Sequence, residues 1–113
     1  MVESINWVKA ARITDIPPDC GVCIKIGNEQ IAVFNYSRRN EYFAVQNQCP
    51  HKRQMVLSRG MIGDSGGEPK VACPFHKRTF SLNSGKCLND DEYCIKTFPV
   101  KVENGEMFIG IGG

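Results

Sequence analysis

Glycine and proline interrupt this 113-residue chain too often for long helices. Eleven glycines and six prolines are spread along it, and the apolar stretches between them are short. Because proline removes a backbone donor and glycine weakens the interior of an element, such a chain favours short strands joined by turns. Hydrophobic residues make up 42% and charged residues 23%, which is usual for a folded domain and argues against disorder. The length suits one core, so we predict a single all-β domain over 1–113.

The formal net charge of the chain is only +2, which is too small to predict binding to nucleic acid or to an anionic membrane. The basic residues are concentrated, however, because 49–78 holds six basic side chains and two acidic ones. No stretch of about 18 apolar residues could span a bilayer. The first ten residues also lack the apolar segment of a signal peptide. We therefore expect a cytoplasmic protein.

Alternating apolar and polar residues predict the strands of this domain. The first four strands are expected to form a meander, and a proline-containing loop at 14–21 precedes the second. Asn104-Gly105, between the last two predicted strands, is a strong hairpin signal. Residues 47–78 contain many glycines and prolines and are predicted to be a long irregular connection, a kind of segment that usually carries function. The predicted strands are 5–10, 22–26, 30–36, 41–46, 70–72, 79–82, 93–98, 100–103 and 106–109.

A short motif occurs twice inside that connection. Cys-Pro-His-Lys-Arg at 49–53 is followed by Cys-Pro-Phe-His-Lys-Arg at 73–78, and the two segments hold both histidines of the chain. Thiolate and imidazole are ligands of zinc and iron, and two loops that each bear one cysteine and one histidine can converge on one site. Two core thiols with two solvated histidines would leave the repeated flanks unexplained. The sequence therefore predicts a metal centre, with the ligands Cys49, His51, Cys73 and His76.

The ligand set alone leaves the metal open, because two cysteines and two histidines also describe a tetrahedral zinc site. Zinc modules usually take two cysteines from one knuckle and two histidines from another element, whereas here each loop supplies one of each. If both cysteines bind one iron and both histidines bind another, the set holds a [2Fe–2S] cluster of the Rieske type. The presence of one cysteine and one histidine in each loop favours iron. A zinc-stabilised binding module without redox function stays the alternative.

At these residues the sequence resembles the Rieske family, whose two cluster loops read C-x-H and C-x-x-H. The resemblance extends to 80–85, which is similar to the strand and turn that follow the second loop. A closer resemblance is to the small-subunit family of assimilatory NAD(P)H nitrite reductases. That closer resemblance rests on 56–60, 62–64, 67–74, 79–82 and 87–92.

The resemblance implies a small antiparallel β-sandwich or barrel, with a cluster-binding subdomain made of two loops at about 47–82. It also implies that Cys49 and Cys73 bind the buried iron, while His51 and His76 bind the outer iron. The implied function is electron transfer by the small subunit of a cytoplasmic NAD(P)H nitrite reductase, in the assimilatory reduction of nitrate by way of nitrite to ammonium. FAD, sirohaem and a [4Fe–4S] cluster are then expected only on the partner large subunit.

No substrate-level catalysis is expected from this chain alone. The sequence shows no nucleophile beside a base, no paired catalytic carboxylates and no glycine-rich phosphate loop, and both histidines are committed to the predicted cluster. The other function that the Rieske resemblance allows is that of a free ferredoxin feeding an oxygenase. Association with a large flavo-sirohaem polypeptide would favour the reductase over the ferredoxin.

The resemblance also bears on the reduction potential. High-potential Rieske proteins carry two extra cysteines, a serine and a tyrosine near the cluster, where this chain has Gln54, Phe75, Arg78 and Phe80. Because fewer hydrogen bonds to sulfur lower the potential, we expect a value nearer about −150 mV than about +300 mV. Lys77 stands where the family more commonly has a glycine after the second-loop histidine.

Four further cysteines lie outside the predicted ligand set. Cys20-Gly-Val-Cys23 is a C-x-x-C motif, but a β-like alternation follows it and no helix opens at the first cysteine, so a thioredoxin-type redox role is not favoured. We expect all four to be buried or partly buried structural thiols. The acidic run at 90–92 is most typical of a solvated turn. The four cysteines are Cys20, Cys23, Cys87 and Cys94.

Overall fold

Antiparallel strands dominate the computed structural model, which describes residues 5–37, 40–49, 54–74, 79–88 and 94–112. Short 3₁₀ turns lie at Ile13–Asp15 and Leu57–Arg59. In these residues no helix is long and apolar enough to cross a membrane. The strands are β1 (Ile5–Arg12), β2 (Gly21–Ile26), β3 (Glu29–Tyr36), β4 (Glu41–Gln46), β5 (Gln48–Cys49), β6 (Gln54–Met55), β7 (Met61–Ser65), β8 (Glu68–Ala72), β9 (Thr79–Ser81), β10 (Thr97–Phe98), β11 (Val100–Glu103) and β12 (Glu106–Gly112).

Within the described residues the strands pair into one sheet of four strands, two sheets of three strands and one sheet of two strands. The central sheet has the order β10-β4-β3-β2, and the terminal sheet has the order β1-β12-β11. The distal sheet has the order β7-β8-β9, and β5 pairs with β6 alone. The prediction of an all-β antiparallel fold is confirmed.

The predicted four-stranded meander is confirmed for β2, β3 and β4 and is wrong for β1. The first strand pairs with β12, where Val8 lies opposite Ile109. The alternation within a strand identifies the face that will be buried, but it does not say which strand lies alongside. A partner at the far end of the chain therefore leaves no local signal.

The predicted hairpin at Asn104-Gly105 is confirmed. Glu103 pairs with Glu106, and the two residues between them have φ values of 52° and 77°. Positive φ at both central positions is what a type I′ turn requires, and Asn-Gly tolerates it better than other pairs. Gly66 and Gly67 make the equivalent turn between β7 and β8, with φ values of 59° and 91°.

The prediction that 47–78 is an irregular connection is wrong. Its described part contains β5, β6, β7 and β8. Two of its glycines form the turn of a hairpin and do not interrupt a strand, so the number of glycines there does not indicate irregular structure.

The bounds of a later strand also differ from the prediction. Strand β10 covers only Thr97–Phe98 of the predicted 93–98, and Cys94 makes a single bridge to Lys86.

Strand β3 divides the interior of the protein into two cores. Ile31, Ala32, Val33 and Phe34 are all fully buried. Because successive side chains point to opposite faces, the first and third of them enter one core and the second and fourth enter the other. A strand buried on both faces reads as a continuous apolar run, as this one does.

The two cores differ in composition and in the elements that enclose them. The sheet core lies between the central and terminal sheets and consists of Ile16, Ile31, Val33, Ala44, Phe98, Met107 and Ile109. The thiol core joins the other face of β3 and β4 to the distal sheet and consists of Ala32, Phe34, Val45, Cys49, Val56, Leu57, Val71, Cys73, Phe80, Leu82, Cys87 and Ile95.

Candidate metal centre

The first predicted ligand loop is the connection of a short hairpin. Cys49 is the last residue of β5 and pairs with Gln54 at the start of β6. Its side chain is fully buried and belongs to the thiol core. His51 lies in the connection between these paired residues, outside the described part of the chain.

The second predicted ligand loop has the same relation to its strands. Ala72 at the end of β8 pairs with Thr79 at the start of β9, and Cys73 follows this pair directly. The Cys73 side chain is 1% exposed and also belongs to the thiol core. His76 lies in the connection, outside the described residues. The fold thus brings both predicted cysteine ligands into one core, each at the base of a hairpin connection.

The thiol core encloses the two cysteines in apolar side chains. Leu57, Val71 and Phe80 are fully buried members of it. In such surroundings a thiolate is poorly solvated, so it gains from a bond to a soft metal ion. In the described residues, which exclude both histidines, no three His, Cys, Asp or Glu side chains form a group that could hold a metal. The other two predicted ligands, His51 and His76, belong to the two connections.

Cys87 is a third buried thiol in the same core. It is 3% exposed, and its backbone makes a bridge to Phe80 of β9. Its burial confirms the expectation of a buried thiol. The same expectation is wrong for Cys20, Cys23 and Cys94, which are exposed. Cys23 points to the face of β2 opposite Val22 and Ile24, which pack against the sheet core, and Cys20 precedes that strand.

Two buried polar side chains flank the predicted loops, and no sequence pattern pointed to either of them. Among the described residues they are Asn47, two positions before Cys49, and Ser81, at the end of β9. Ser81 Oγ donates to Glu68 Oε2 at 2.6 Å and accepts from the backbone of Asn83 at 3.2 Å. Serine and asparagine are common in turns, so their types alone gave no sign of these buried roles.

The concentration of basic residues in 49–78 is only partly described by the structure. Arg59 and Lys70 lie on the 3₁₀ turn and on β8, next to the predicted loops in sequence. The other four basic residues of 49–78 lie outside the described residues, as does the acidic run at 90–92. They are Lys52, Arg53, Lys77 and Arg78.

Comparison with known proteins identifies the family. A model of the Rieske-like [2Fe–2S] domain matches residues 6–110. The NADH nitrite reductase small subunit of Escherichia coli is 37% identical over 100 residues, which cover 88% of this chain and 93% of that protein. The NAD(P)H nitrite reductase of Emericella nidulans is 44% identical over 116 residues, which cover 95% of this chain but only 10% of that longer protein.

A solved structure agrees with the sequence matches. The solution structure of the Escherichia coli protein NirD superimposes with a TM-score of 0.87 at 34% identity, and the match covers 97% of this chain and all of that one. The family model, the sequence relative of similar length and the structure all lead to the same group of proteins. This chain belongs to the Rieske-like [2Fe–2S] domain family and, within it, to the small subunits of nitrite reductase.

Proposed function

We propose that this chain is the electron-transfer small subunit of a cytoplasmic NAD(P)H-dependent nitrite reductase, which converts nitrite to ammonium in nitrate assimilation. The observation that carries the proposal is the joint burial of Cys49 and Cys73 in one apolar core, each at the base of a hairpin connection that also holds a histidine. Family membership supplies the class of cofactor, and the two hairpins supply the donors for it.

The donor set fits a Rieske cluster, within a subdomain at about 47–82. Cys49 and Cys73 would hold the inner iron, because both thiols are withdrawn from water, and His51 and His76 would hold the outer iron. When bound, such a cluster supplies transfer of one electron at a time. The chain's own residues exclude water from the two sulfur atoms, because both cysteines are buried in the thiol core.

In this proposal, the reduction of nitrite takes place on a partner protein. Reduction of nitrite to ammonium needs six electrons and a cofactor that binds the substrate, whereas this chain offers donors for a one-electron centre only. The partner is a large subunit that carries FAD, sirohaem and a [4Fe–4S] cluster. The small-subunit relative of similar length, and the fungal protein in which the matching segment is a tenth of the length, both support this division.

Phe80 supports a potential at the low end of the Rieske range. It stands where high-potential members of the family have a tyrosine, and its ring is fully buried in the thiol core. A phenylalanine offers no hydroxyl to a nearby sulfur, and each hydrogen bond to sulfur raises the potential. A value nearer about −150 mV than about +300 mV suits an acceptor of electrons that originate from a nicotinamide.

Reduction by nicotinamide through the large subunit tests the proposal. The chain is purified under anaerobic conditions, mixed with the large subunit, and supplied with NADH or NADPH while its EPR signal is followed. We expect a Rieske-type signal to develop only when the large subunit is present. Reduction by an oxygenase's reductase without any exchange with the large subunit would instead support a free ferredoxin. A zinc-loaded chain without an EPR signal would support a binding module.

A further inference from the structure

Asn47 is a buried polar side chain beside the first predicted ligand loop. It lies between β4 and β5, two residues before Cys49, and it is 2% exposed. Burial of a side-chain amide is costly unless its donors and its acceptor are all satisfied. The contacts of Asn47 satisfy each of these groups.

The side chain of Asn47 bridges two parts of the fold. Its Nδ2 donates to Gln30 Oε1 at 3.2 Å and to Cys23 Sγ at 3.4 Å. Its Oδ1 accepts the backbone N–H of Ser58 at 2.8 Å. Strands β2 and β3 thus lie on one side of the amide, and the 3₁₀ turn that follows β6 lies on the other.

The backbone of Asn47 repeats this connection. Its N–H donates to the carbonyl of Gln30 at 3.0 Å, and its carbonyl accepts the N–H of Leu57 at 3.0 Å. The two bonds from Leu57 and Ser58 tie the end of the β5-β6 hairpin to its beginning. Cys49 and its pair partner Gln54 lie between these ends, so the hairpin that carries the first ligand is closed at its base and fixed to β3.

We propose that Asn47 is the positioning residue of the first ligand loop. It holds the backbone around Cys49 in the geometry that a bound iron needs, and it acts through that cysteine without touching the metal. This inference rests on the proposed function for the metal that Cys49 would bind. The hydrogen bonds that Asn47 makes to Gln30, Leu57 and Ser58, called the clamp below, do not depend on it. Loss of a residue that orients a metal ligand typically lowers the affinity for the metal by about ten- to a hundredfold.

Only an amide serves both sides of this clamp. Aspartate keeps the acceptor for Ser58 but loses the donor to Gln30, and alanine loses both. Gln30 provides a gentler way to weaken the same clamp, because it is only partly buried. A Gln30→Met variant removes the Oε1 acceptor but keeps the backbone bond to Asn47.

Asn35 offers a matched control. Its Nδ2 donates to the carbonyl of Ile16 at 3.0 Å, in a partly buried position on β3 and far in sequence from both predicted loops. Truncation of either asparagine to alanine removes a side-chain amide that is bonded to backbone. The control therefore separates a general loss of stability from a loss of loop geometry.

The experiment measures iron release and amide exchange in the full chain. Iron release to a chelator is followed anaerobically for the wild type, Asn47→Ala, Gln30→Met and Asn35→Ala, together with the line shape of the EPR signal. We expect release to be about ten- to a hundredfold faster in Asn47→Ala, with a broadened signal, and to be faster by a smaller factor in Gln30→Met. Asn35→Ala should stay within about twofold of the wild type, because its lost bond lies outside the clamp.

Hydrogen exchange at the amides of Leu57 and Ser58 tests the clamp without any metal. In the metal-free protein we expect at least about tenfold faster exchange in Gln30→Met and Asn47→Ala, as the loss of a satisfied buried bond predicts. Unchanged exchange and unchanged iron release in both variants would overturn the positioning role and leave the proposed function intact. A wild type that binds no iron would instead overturn the proposed function, and the exchange data alone would then decide on the clamp.

Discussion

The sheet core and the thiol core share β3 but are stabilised in different ways. The sheet core includes Met107 and Ile109 of β12 and Val33 of β3, and its buried side chains are all apolar and include no thiol. The thiol core contains three cysteines and is enclosed by shorter strands and a 3₁₀ turn. The sheet core can therefore rely on long strand pairing, whereas the thiol core needs additional bonds to fix its loops.

Those additional bonds are polar. Among the described residues, the two buried polar side chains are Asn47 and Ser81, and each lies beside one of the predicted ligand loops. Buried hydrogen bonds specify geometry more sharply than apolar contacts do, at the risk of a large cost when one partner is lost. The sheet core therefore mainly stabilises the fold, whereas the thiol core fixes the geometry of the predicted site. Variants in each core can test this division.

The largest expected effect is the loss of iron when a predicted ligand is replaced. Replacement of the third buried thiol serves as the control. Cys73→Ser should reduce bound iron from about two per chain to nearly none, because a Rieske iron loses one of its two thiolates. Cys87→Ser removes a thiol from the same core and should keep the iron. Iron and sulfide analysis of both variants checks this. Loss of iron in Cys87→Ser alone would show that the ligand set has been assigned to the wrong thiols.

Truncation of a large side chain in each core should lower stability by similar amounts but affect the metal differently. Phe80→Ala in the thiol core and Ile109→Ala in the sheet core should lower the free energy of unfolding by about 3–5 and about 2–5 kcal/mol. Only Phe80→Ala should also accelerate iron release under native conditions. Denaturant titration and chelator kinetics measure the two quantities, and equal acceleration in both variants would contradict the division.

Gly60→Ala should strain the link between the 3₁₀ turn and the distal sheet. A Cβ at this position would clash with the carbonyl oxygen of Ala72 and lie 2.8 Å from Val71 Cγ2. Overpacking of this kind costs about 1–3 kcal/mol of unfolding free energy. Gly63→Ala is the matched control, because its Cβ would meet nothing within 4 Å, and it should change stability by less than about 0.5 kcal/mol. Similar thermal denaturation of the two variants would contradict the packing described for Gly60.

The smallest effect is expected at the exposed edge of the terminal sheet. Lys9 forms an ion pair with Glu106 across β1 and β12, and its side chain is 54% exposed. Lys9→Ala should lower the free energy of unfolding by less than about 1 kcal/mol, and the difference should shrink in high salt because the pair is screened. Iron content should not change. Denaturant titrations at low and high salt check this, and a salt-independent loss would mean that the lysine stem contributes by packing.

Local patterns predicted the parts of the fold that local interactions determine. The alternation of Val22, Ile24 and Ile26 led to β2, and Asn104-Gly105 led to the last hairpin, because each signal resides in neighbouring residues. The pairing of β1 with β12 joins residues about a hundred positions apart and could not be predicted from either strand. Strands β5 and β6 have two residues each, which is too short for any alternation to be recognised.

The candidate site was predictable from chemistry more than from periodicity. The repeated Cys-Pro and His-Lys-Arg segments singled out the four ligand candidates, and the burial of Cys49 and Cys73 in one core agrees with that interpretation. The placement of His51 and His76 as ligands stays a prediction. Asn47 was missed because its importance arises from contacts with β2, β3 and the 3₁₀ turn, which only the folded chain brings together.

Metal and sulfide analysis of the anaerobically purified chain is the most direct test of whether the thiol core holds an iron–sulfur cluster. Iron, acid-labile sulfide and zinc are quantified per chain, and EPR is recorded after reduction with dithionite. We predict about two irons and two sulfides with a Rieske-type signal, as expected for a [2Fe–2S] cluster with two cysteine and two histidine ligands. About one zinc per chain with no labile sulfide would contradict this prediction, because the thiol core would then hold a structural ion that carries no electrons.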